Sequence, residues 1–170
     1  MPITLAPARL DQLPEVARLA DRIWRAHYPG IITDEQIDYM LAKGYALDVL
    51  AGFLDRPDRG LELALVDGEM TGFAAWCLTG QPGEAKLDKL YVLQQRQRMG
   101  IGARLMARVE SLARVAGATT LILNVNKQNL KAIAAYERSG FATREAVTVP
   151  IGGGFVMDDF IMAKRLAGPG

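Results

Sequence analysis

Histidine and cysteine are almost missing from this chain: His27 and Cys77 are the only residues of their kinds. A single thiol cannot form an internal disulfide, and one histidine with one cysteine cannot supply a Cys/His metal site. An excess of charge of either sign is missing too. The 20 Lys and Arg nearly balance the 19 Asp and Glu, leaving a net charge of +1. Nothing in that balance attracts nucleic acid or an anionic membrane, so neither partner is expected and any basic site must be local. No apolar run is long enough to span a bilayer, and "MPITLAPARL" lacks the apolar centre of a signal peptide. The expectation is a cytoplasmic protein. What is present is apolar: half of the 170 residues, with 23% charged. That composition and length suit one folded domain over residues 1–170 with a sizeable core.

Periodicity sets out the elements. Ile3–Ala8 predicts a short strand. Leu13, Val16, Leu19, Ala20 and Ile23 recur at helical spacing, with Asp11 as a cap at the start and Pro29 at the end. Thr33 and Gln36 in "TDEQ" form a capping-box pattern for a second helical region, which breaks at Gly44 and resumes through "ALDVLAGFLDR". "LELALVDGEMTGFAAWCL" predicts two strands joined at Asp67-Gly68. Ala85–Leu93 is a third strand, and Ile101 to about Val115 a helix closed by Gly117. Then come the strand "TTLILNV", the helix "NLKAIAAYERSG" with Gly140 as its left-handed cap, and two strands around Gly152-Gly153-Gly154; "AGPG" is expected to fray. Hairpins demand antiparallel pairing, and the helix between the strands ending at Val92 and Val125 demands a parallel pair. The fold class is therefore α/β with a mixed sheet flanked by helices.

Between the third strand and its helix lies "QQRQRMGIGARL". Gly100 and Gly102 lack a Cβ, so the backbone there can turn sharply and admit a bulky group, and the next helix aims its first free N–H groups at the loop. Such a loop suits an anion. A dinucleotide fingerprint requires a third glycine where Leu105 stands, and an ATP-type phosphate loop requires Gly-Lys-Ser/Thr where Ala103 and Arg104 follow Gly102. Neither pattern is met. An ordinary strand–turn–helix connection is the plain alternative.

Two further matches decide for a ligand. Gln97-Arg-Met-Gly-Ile-Gly resembles the Gln/Arg-x-x-Gly-x-Gly/Ala signature of the GCN5-related N-acetyltransferases, which bind acetyl-coenzyme A. Asn129, Ala132, Ile133, Tyr136, Glu137, Gly140 and Phe141 in "NLKAIAAYERSGF" are similar to that family's second signature. Together the two signatures span roughly Leu87 to Phe141, in the order and on the elements that the family uses.

The resemblance implies the acyl-coenzyme A N-acyltransferase fold and a set of roles. Gln97, Arg98, Met99, Gly100, Ile101, Gly102 and Ala103 should wrap the pyrophosphate, with charge added by Arg96 and Arg98. Arg104 and Arg108 should reach toward the 3′-phosphate, although a solvated helix face explains Arg108 equally well. Leu90, Tyr91 and Val92 should pair edge-on with the pantetheine amides where two central strands splay. Asn129 should bond the same arm, or else simply cap its helix. Tyr136 should protonate the departing thiolate as a general acid, or else be a core aromatic with a satisfied hydroxyl. The N–H of Val92 or Tyr91 should polarise the thioester carbonyl.

With one histidine, far away in sequence, a carboxylate acting through water, or bulk solvent, is expected to accept the amine's proton. Asp88 leads, two residues before Leu90 and on its face by strand alternation, with Glu84 second; a surface pair of Asp88 with Lys86 or Lys89 is the alternative. Cys77, in an apolar strand, reads as a buried structural thiol. No metal is expected. Trp24, Tyr28, His27 and Tyr39 come from the N-terminal helices that shape the acceptor groove in the family, where aromatic rings suit a cationic amine and equally suit a core, and Asp158 or Asp159 adds an acid, at most one of them facing the site; Asp158 is the candidate, with Trp24 and Tyr28. The layout is similar to bacterial polyamine acetyltransferases, so the expected partner is a small-molecule amine. Acceptors that are protein N-termini or lysines, a longer acyl donor, and a non-catalytic acyl-coenzyme A sensor stay open. A homodimer is compatible with the family.

Overall fold

Alternation in the strands decides the layering. Leu61, Leu63, Phe73 and Ala75 turn to one side of a sheet and Ala64, Val66, Ala74 and Trp76 to the other, all buried. A sheet apolar on both faces must be covered on both. The computed structural model describes residues 2–167, so the end expected to fray lies, beyond Ala167, outside the described residues.

Seven strands form one sheet: β1 (Ile3–Pro7), β2 (Arg59–Val66), β3 (Glu69–Leu78), β4 (Glu84–Val92), β5 (Thr120–Asn126), β6 (Ala142–Gly152) and β7 (Phe155–Arg165). The spatial order is β1-β2-β3-β4-β5-β7-β6, antiparallel except for the parallel β4–β5 pair. α1 (Leu13–His27), α2 (Asp34–Gly44) and α3 (Leu47–Ala51) cover one face. α4 (Ile101–Val115) and α5 (Leu130–Arg138) pack on the other. This is the mixed, helix-flanked sheet expected.

Local signals mostly hold. Asp67 and Gly68 both take positive φ, 52° and 79°, as a two-residue hairpin turn requires. Gly140 has φ 100°, and the Phe141 N–H returns to the Tyr136 carbonyl at 3.0 Å, closing α5 with a Schellman-type bond. The start of α1 differs. Asp11 pairs with Arg9 at 3.1 Å and lies in a short 3₁₀ turn, so it does not cap the helix. The capping box at α2 is half made. Thr33 Oγ1 accepts from the Gln36 N–H at 3.1 Å, but the Gln36 side chain donates instead to the Val156 carbonyl at 2.9 Å. That contact ties α2 to the β6–β7 hairpin.

Two irregularities shape the site. β4 and β5 pair only over Glu84–Lys86 and Thr120–Ile122, and then part. β4 also bulges: Lys89 faces Ala75 and Leu87 faces Trp76, so Asp88 is the extra residue. The bulge shifts the alternation by one. Leu87 and then Leu90 and Val92 turn to the α4–α5 layer, and Tyr91 to the α1–α3 layer. The simple alternation that placed Asp88 on the face of Leu90 is broken at Asp88 itself.

Candidate active site

Where β4 and β5 part, a cavity of about 970 Å³ opens, bounded by the β4 end, the loop after it, α5, β5, the α1–α2 connection and the β6–β7 hairpin. A strand end without a neighbour carries unpaired backbone groups. The register says which. The Leu93 N–H donates to the Thr71 carbonyl at 2.8 Å, so Leu93, Tyr91 and Lys89 direct their backbone groups at β3. Leu90 and Val92 then direct theirs at the seam. Of the two carbonyl-polarising donors expected, Val92 is the one on the open edge; the Tyr91 amide faces β3.

The loop follows from its backbone. Gly100 (φ 80°) caps the N-terminus of α4, and Arg98 is held at φ 72°, a left-handed conformation unusual for a residue with a side chain. A Cβ on Gly102 would point at Val92 Cγ2, 3.9 Å away. Free N–H groups at the α4 terminus therefore converge beside the open edge of β4. Gln97 fixes the loop, its Nε2 reaching the Val92 carbonyl at 3.5 Å and its Oε1 accepting from Lys131 Nζ at 3.0 Å. Arg98, Arg104 and Lys131 have no carboxylate partner among the described residues. Arg96 faces Glu69 at 3.5 Å. Arg108 is committed elsewhere. Its Nε meets Glu62 Oε1 at 2.7 Å on the α4 side of the sheet, and Glu62 is buried, so Arg108 does not serve a phosphate.

Aromatic hydroxyls line the middle of the cavity. Tyr28 and Tyr91 share a hydrogen bond of 2.9 Å, and burial raises the pKa of both above the ordinary phenol value. Tyr136 is pushed up by burial first and by Tyr28 second, so its hydroxyl stays protonated at neutral pH. Asn129 is buried, and its Oδ1 lies 3.1 Å from His27 Nε2. Its side chain makes no capping bond to α5. The histidine that seemed remote in sequence thus stands in the cavity wall, because the C-terminus of α1 meets the N-terminus of α5 there.

The acceptor side differs from expectation at Asp158. Trp24 is buried and borders the cavity, its ring centroid 4.5–6.0 Å from those of Tyr28, Tyr91 and Tyr45. Tyr39 also borders the cavity, and it donates to the Ile151 carbonyl at 2.7 Å, which holds the hairpin. Asp158 faces out, to Lys127 Nζ at 2.6 Å and Thr148 Oγ1 at 3.0 Å. It shares its face with Phe160 and Met162, whereas Asp159, on the other face, borders the cavity. Asp88 also borders the cavity, but Lys89 Nζ lies 3.0 Å from its Oδ2. Glu84 is engaged by Arg144 at 3.1 Å. Cys77 is half-buried, not fully buried as expected, because it lies near the end of β3, and burial raises its thiol pKa. No group of three or more His, Cys, Asp or Glu among the described residues is placed to hold a metal, and no described helix is long and apolar enough to cross a membrane.

A parted strand pair, an open edge at Leu90 and Val92 and a glycine-capped helix N-terminus are the parts that two signatures placed in this order. The acetyltransferase (GNAT) family profile matches residues 15–141. The chain belongs to that family. It is an acetyl-coenzyme A-dependent acyltransferase, and the seam fits that co-substrate: unpaired amides for the arm, convergent N–H groups and free cations for the phosphates. An N-acetyltransferase of Mycobacterium tuberculosis is 28% identical over 152 residues, covering 89% of this chain and 96% of its own. The spermidine N(1)-acetyltransferase of Thermoplasma acidophilum is 23% identical over 169 residues, 97% of this chain and 98% of its own. The crystal structure of the PaiA N-acetyltransferase of Thermoplasma acidophilum in complex with coenzyme A has a TM-score of 0.82 at 24% identity, over 97% of this chain and 99% of that one.

Proposed function

We propose that this acetyltransferase acts on a primary amine of a small molecule, by direct transfer within one ternary complex. The observation that carries the proposal is the single cavity that joins the open β4 edge to a polar chamber under the α1–α2 connection and the β6–β7 hairpin, with Tyr136 on its wall. The resemblance to a spermidine acetyltransferase over nearly the whole chain supports a small amine.

Acetyl-coenzyme A supplies an activated thioester carbonyl. The chain's own groups do the rest. The open backbone groups of Leu90 and Val92 hold the acyl arm as a neighbouring strand would. The Val92 N–H polarises the carbonyl oxygen from a fixed position, with no reorganisation during the reaction. The loop from Gln97 to Ala103 seats the pyrophosphate on its N–H groups, with Arg98, Arg104 and Lys131 supplying positive charge. Tyr136, kept protonated by burial, gives its proton to the departing sulfur. Asn129 bonds the arm through its amide nitrogen, while His27 lies against its amide oxygen. Asp88 is ion-paired with Lys89 at the bulge and holds that ammonium against the Tyr45 ring, 4.7 Å from its centroid.

The test is thiol release from acetyl-coenzyme A with polyamines, aminoglycosides, amino acids and short peptides, for the wild type and Tyr136→Phe. One class of small amine should support release, and the variant should lose about 10²–10⁴-fold in kcat, with the thermal shift by coenzyme A retained. Turnover on peptides alone, or full activity in the variant, overturns the proposal.

A further inference from the structure

Asp159 is the most expensive side chain in the cavity and the one that the resemblance leaves without a task. It is 2% exposed, and its Oδ2 has no hydrogen-bond partner. A buried carboxylate with an unmet oxygen is destabilising unless something else uses it. Its surroundings suggest a use. Asp159 is opposite Asn126 across the β5–β7 ladder and Asn124 is opposite Ile161, so Asn124, Asn126 and Asp159 share a face. Lys86 lies on that face of β4, at the last paired position before the seam opens. None of α1, α2 or α3 packs its apolar side on this patch: their core is built on β2, β3 and Tyr91. The patch is a polar floor left under the acceptor end of the cavity. The β6–β7 hairpin is fastened above it by Tyr39 and Lys43, both donating to the Ile151 carbonyl, and by Gln36 on Val156.

The charged and polar groups around Asp159 come from β4, from β5 and the residue after it, from the end of α1 and from β7 itself. Lys86 stands on β4, Asn124 on β5, Lys127 after β5 and Tyr28 at the end of α1; Asp158 is its own neighbour on β7. Burial is the largest influence and raises the carboxyl above its ordinary range. Asn124 and then Lys86 oppose it, Asp158 adds to it, and Lys127 opposes it weakly, being held by Asp158. The result is a carboxylate that binds a proton more readily than a surface one.

We propose that Asp159 is the acceptor-recognising carboxylate and the proton acceptor: its unpaired Oδ2 receives the ammonium of a cationic amine on the cavity floor and takes one proton from it. This rests on the amine-acetyltransferase reading. The balance is complete with groups already placed. R–NH₃⁺ gives one proton to Asp159, which later loses it to water. The free amine forms the C–N bond as the C–S bond breaks, and Tyr136 protonates the sulfur. The second proton leaving the new amide nitrogen restores the tyrosine. The inference also names the acceptor class: an amine that arrives as a cation, with the charge at the reacting nitrogen read directly by a carboxylate.

Asp159→Asn keeps the shape and removes the charge. The experiment measures three quantities for the wild type, Asp159→Asn, Asp158→Asn and Asp88→Asn: coenzyme A binding by calorimetry, spermidine binding to the coenzyme A-loaded protein, and kcat/KM for acetyl transfer against pH. Asp159→Asn should bind coenzyme A as the wild type does, bind spermidine at least about tenfold more weakly, and lose about 10²–10⁴-fold in kcat/KM along with the lower pH limb. Asp158→Asn should stay within about threefold of the wild type, as befits an exposed charge. Spermidine binding and a pH limb that survive in Asp159→Asn, or that vanish in Asp88→Asn instead, overturn the assignment. Failure of the wild type itself to bind coenzyme A would strike at the reading beneath it, and is seen in a separate channel from the amine titration.

Discussion

Removing the Arg108 side chain separates two roles that one arginine cannot fill together. Its Nε lies 2.7 Å from Glu62 Oε1; the Glu62 side chain is 5% exposed and that of Arg108 36%. Arg108→Ala therefore leaves a buried carboxylate without its counter-charge. A fully buried pair loses about 3–5 kcal/mol when one partner goes. Arg108 is more than a third open to water, which screens the interaction, so about 2 kcal/mol is the appropriate loss. For a domain of this size that lowers Tm by about 4–8 °C. Glu62→Leu with Arg108→Met replaces the pair by apolar side chains and should recover most of the loss. Thermal unfolding at pH 7 measures all of these. Calorimetry with coenzyme A and with 3′-dephospho-coenzyme A should give both ligands unchanged affinities in Arg108→Ala. An unshifted Tm, together with weakened binding of coenzyme A but not of its dephospho form, would refute the assignment to Glu62 and restore Arg108 as a phosphate ligand.

Two further outcomes follow from the acceptor side. Asp159→Asn should be more stable than the wild type at pH 7, because a group whose pKa is raised in the folded state contributes stability at low pH that is lost as pH rises through the raised value. The gap in Tm should close as pH falls toward the ordinary carboxylate pKa of about 3.9; a variant less stable at pH 7 would show that the charge is structural. Gly152→Ala places a Cβ into Tyr39 Oη at a φ of 97°, at a cost of about 1–2 kcal/mol for the left-handed backbone alone. It should loosen the hairpin and raise the acceptor KM several-fold while calorimetry gives an unchanged coenzyme A affinity.

The elements were legible because their signals are local. Asp67-Gly68, Gly100, Gly117 and Gly140 mark turns and caps by backbone conformation, and apolar spacing marks the faces of α1 and α4. The donor half of the site was legible for the same reason, since its loop, strand end and helix are consecutive in the chain. The acceptor half was not. His27 meets Asn129 across 102 residues, and nothing near either residue announces the other. Asp88 was placed by an alternation that its own bulge interrupts. Asp158 and Asp159 cannot be told apart by composition. Parity does not separate them either: Val156, Phe160 and Met162 share the face of Asp158, and Phe155, Met157 and Ile161 share that of Asp159, so both faces of the strand read as apolar. Lys131 was overlooked because it sits inside the second signature at a position that signature leaves free.

The parting of β4 from β5 has a mechanical consequence. Three residue pairs, Glu84–Lys86 with Thr120–Ile122, are all the ladder that joins β1–β4 to β5–β7. The sheet is in effect two leaves joined by a short ladder and by the core under α4, with the candidate site in the gutter between them. One leaf brings the open amide edge of Leu90 and Val92; the other brings Asn124 and Asp159, and α5, following β5, brings Tyr136. A ligand lying between them would brace both leaves at once, in place of the ladder that the sheet leaves unmade.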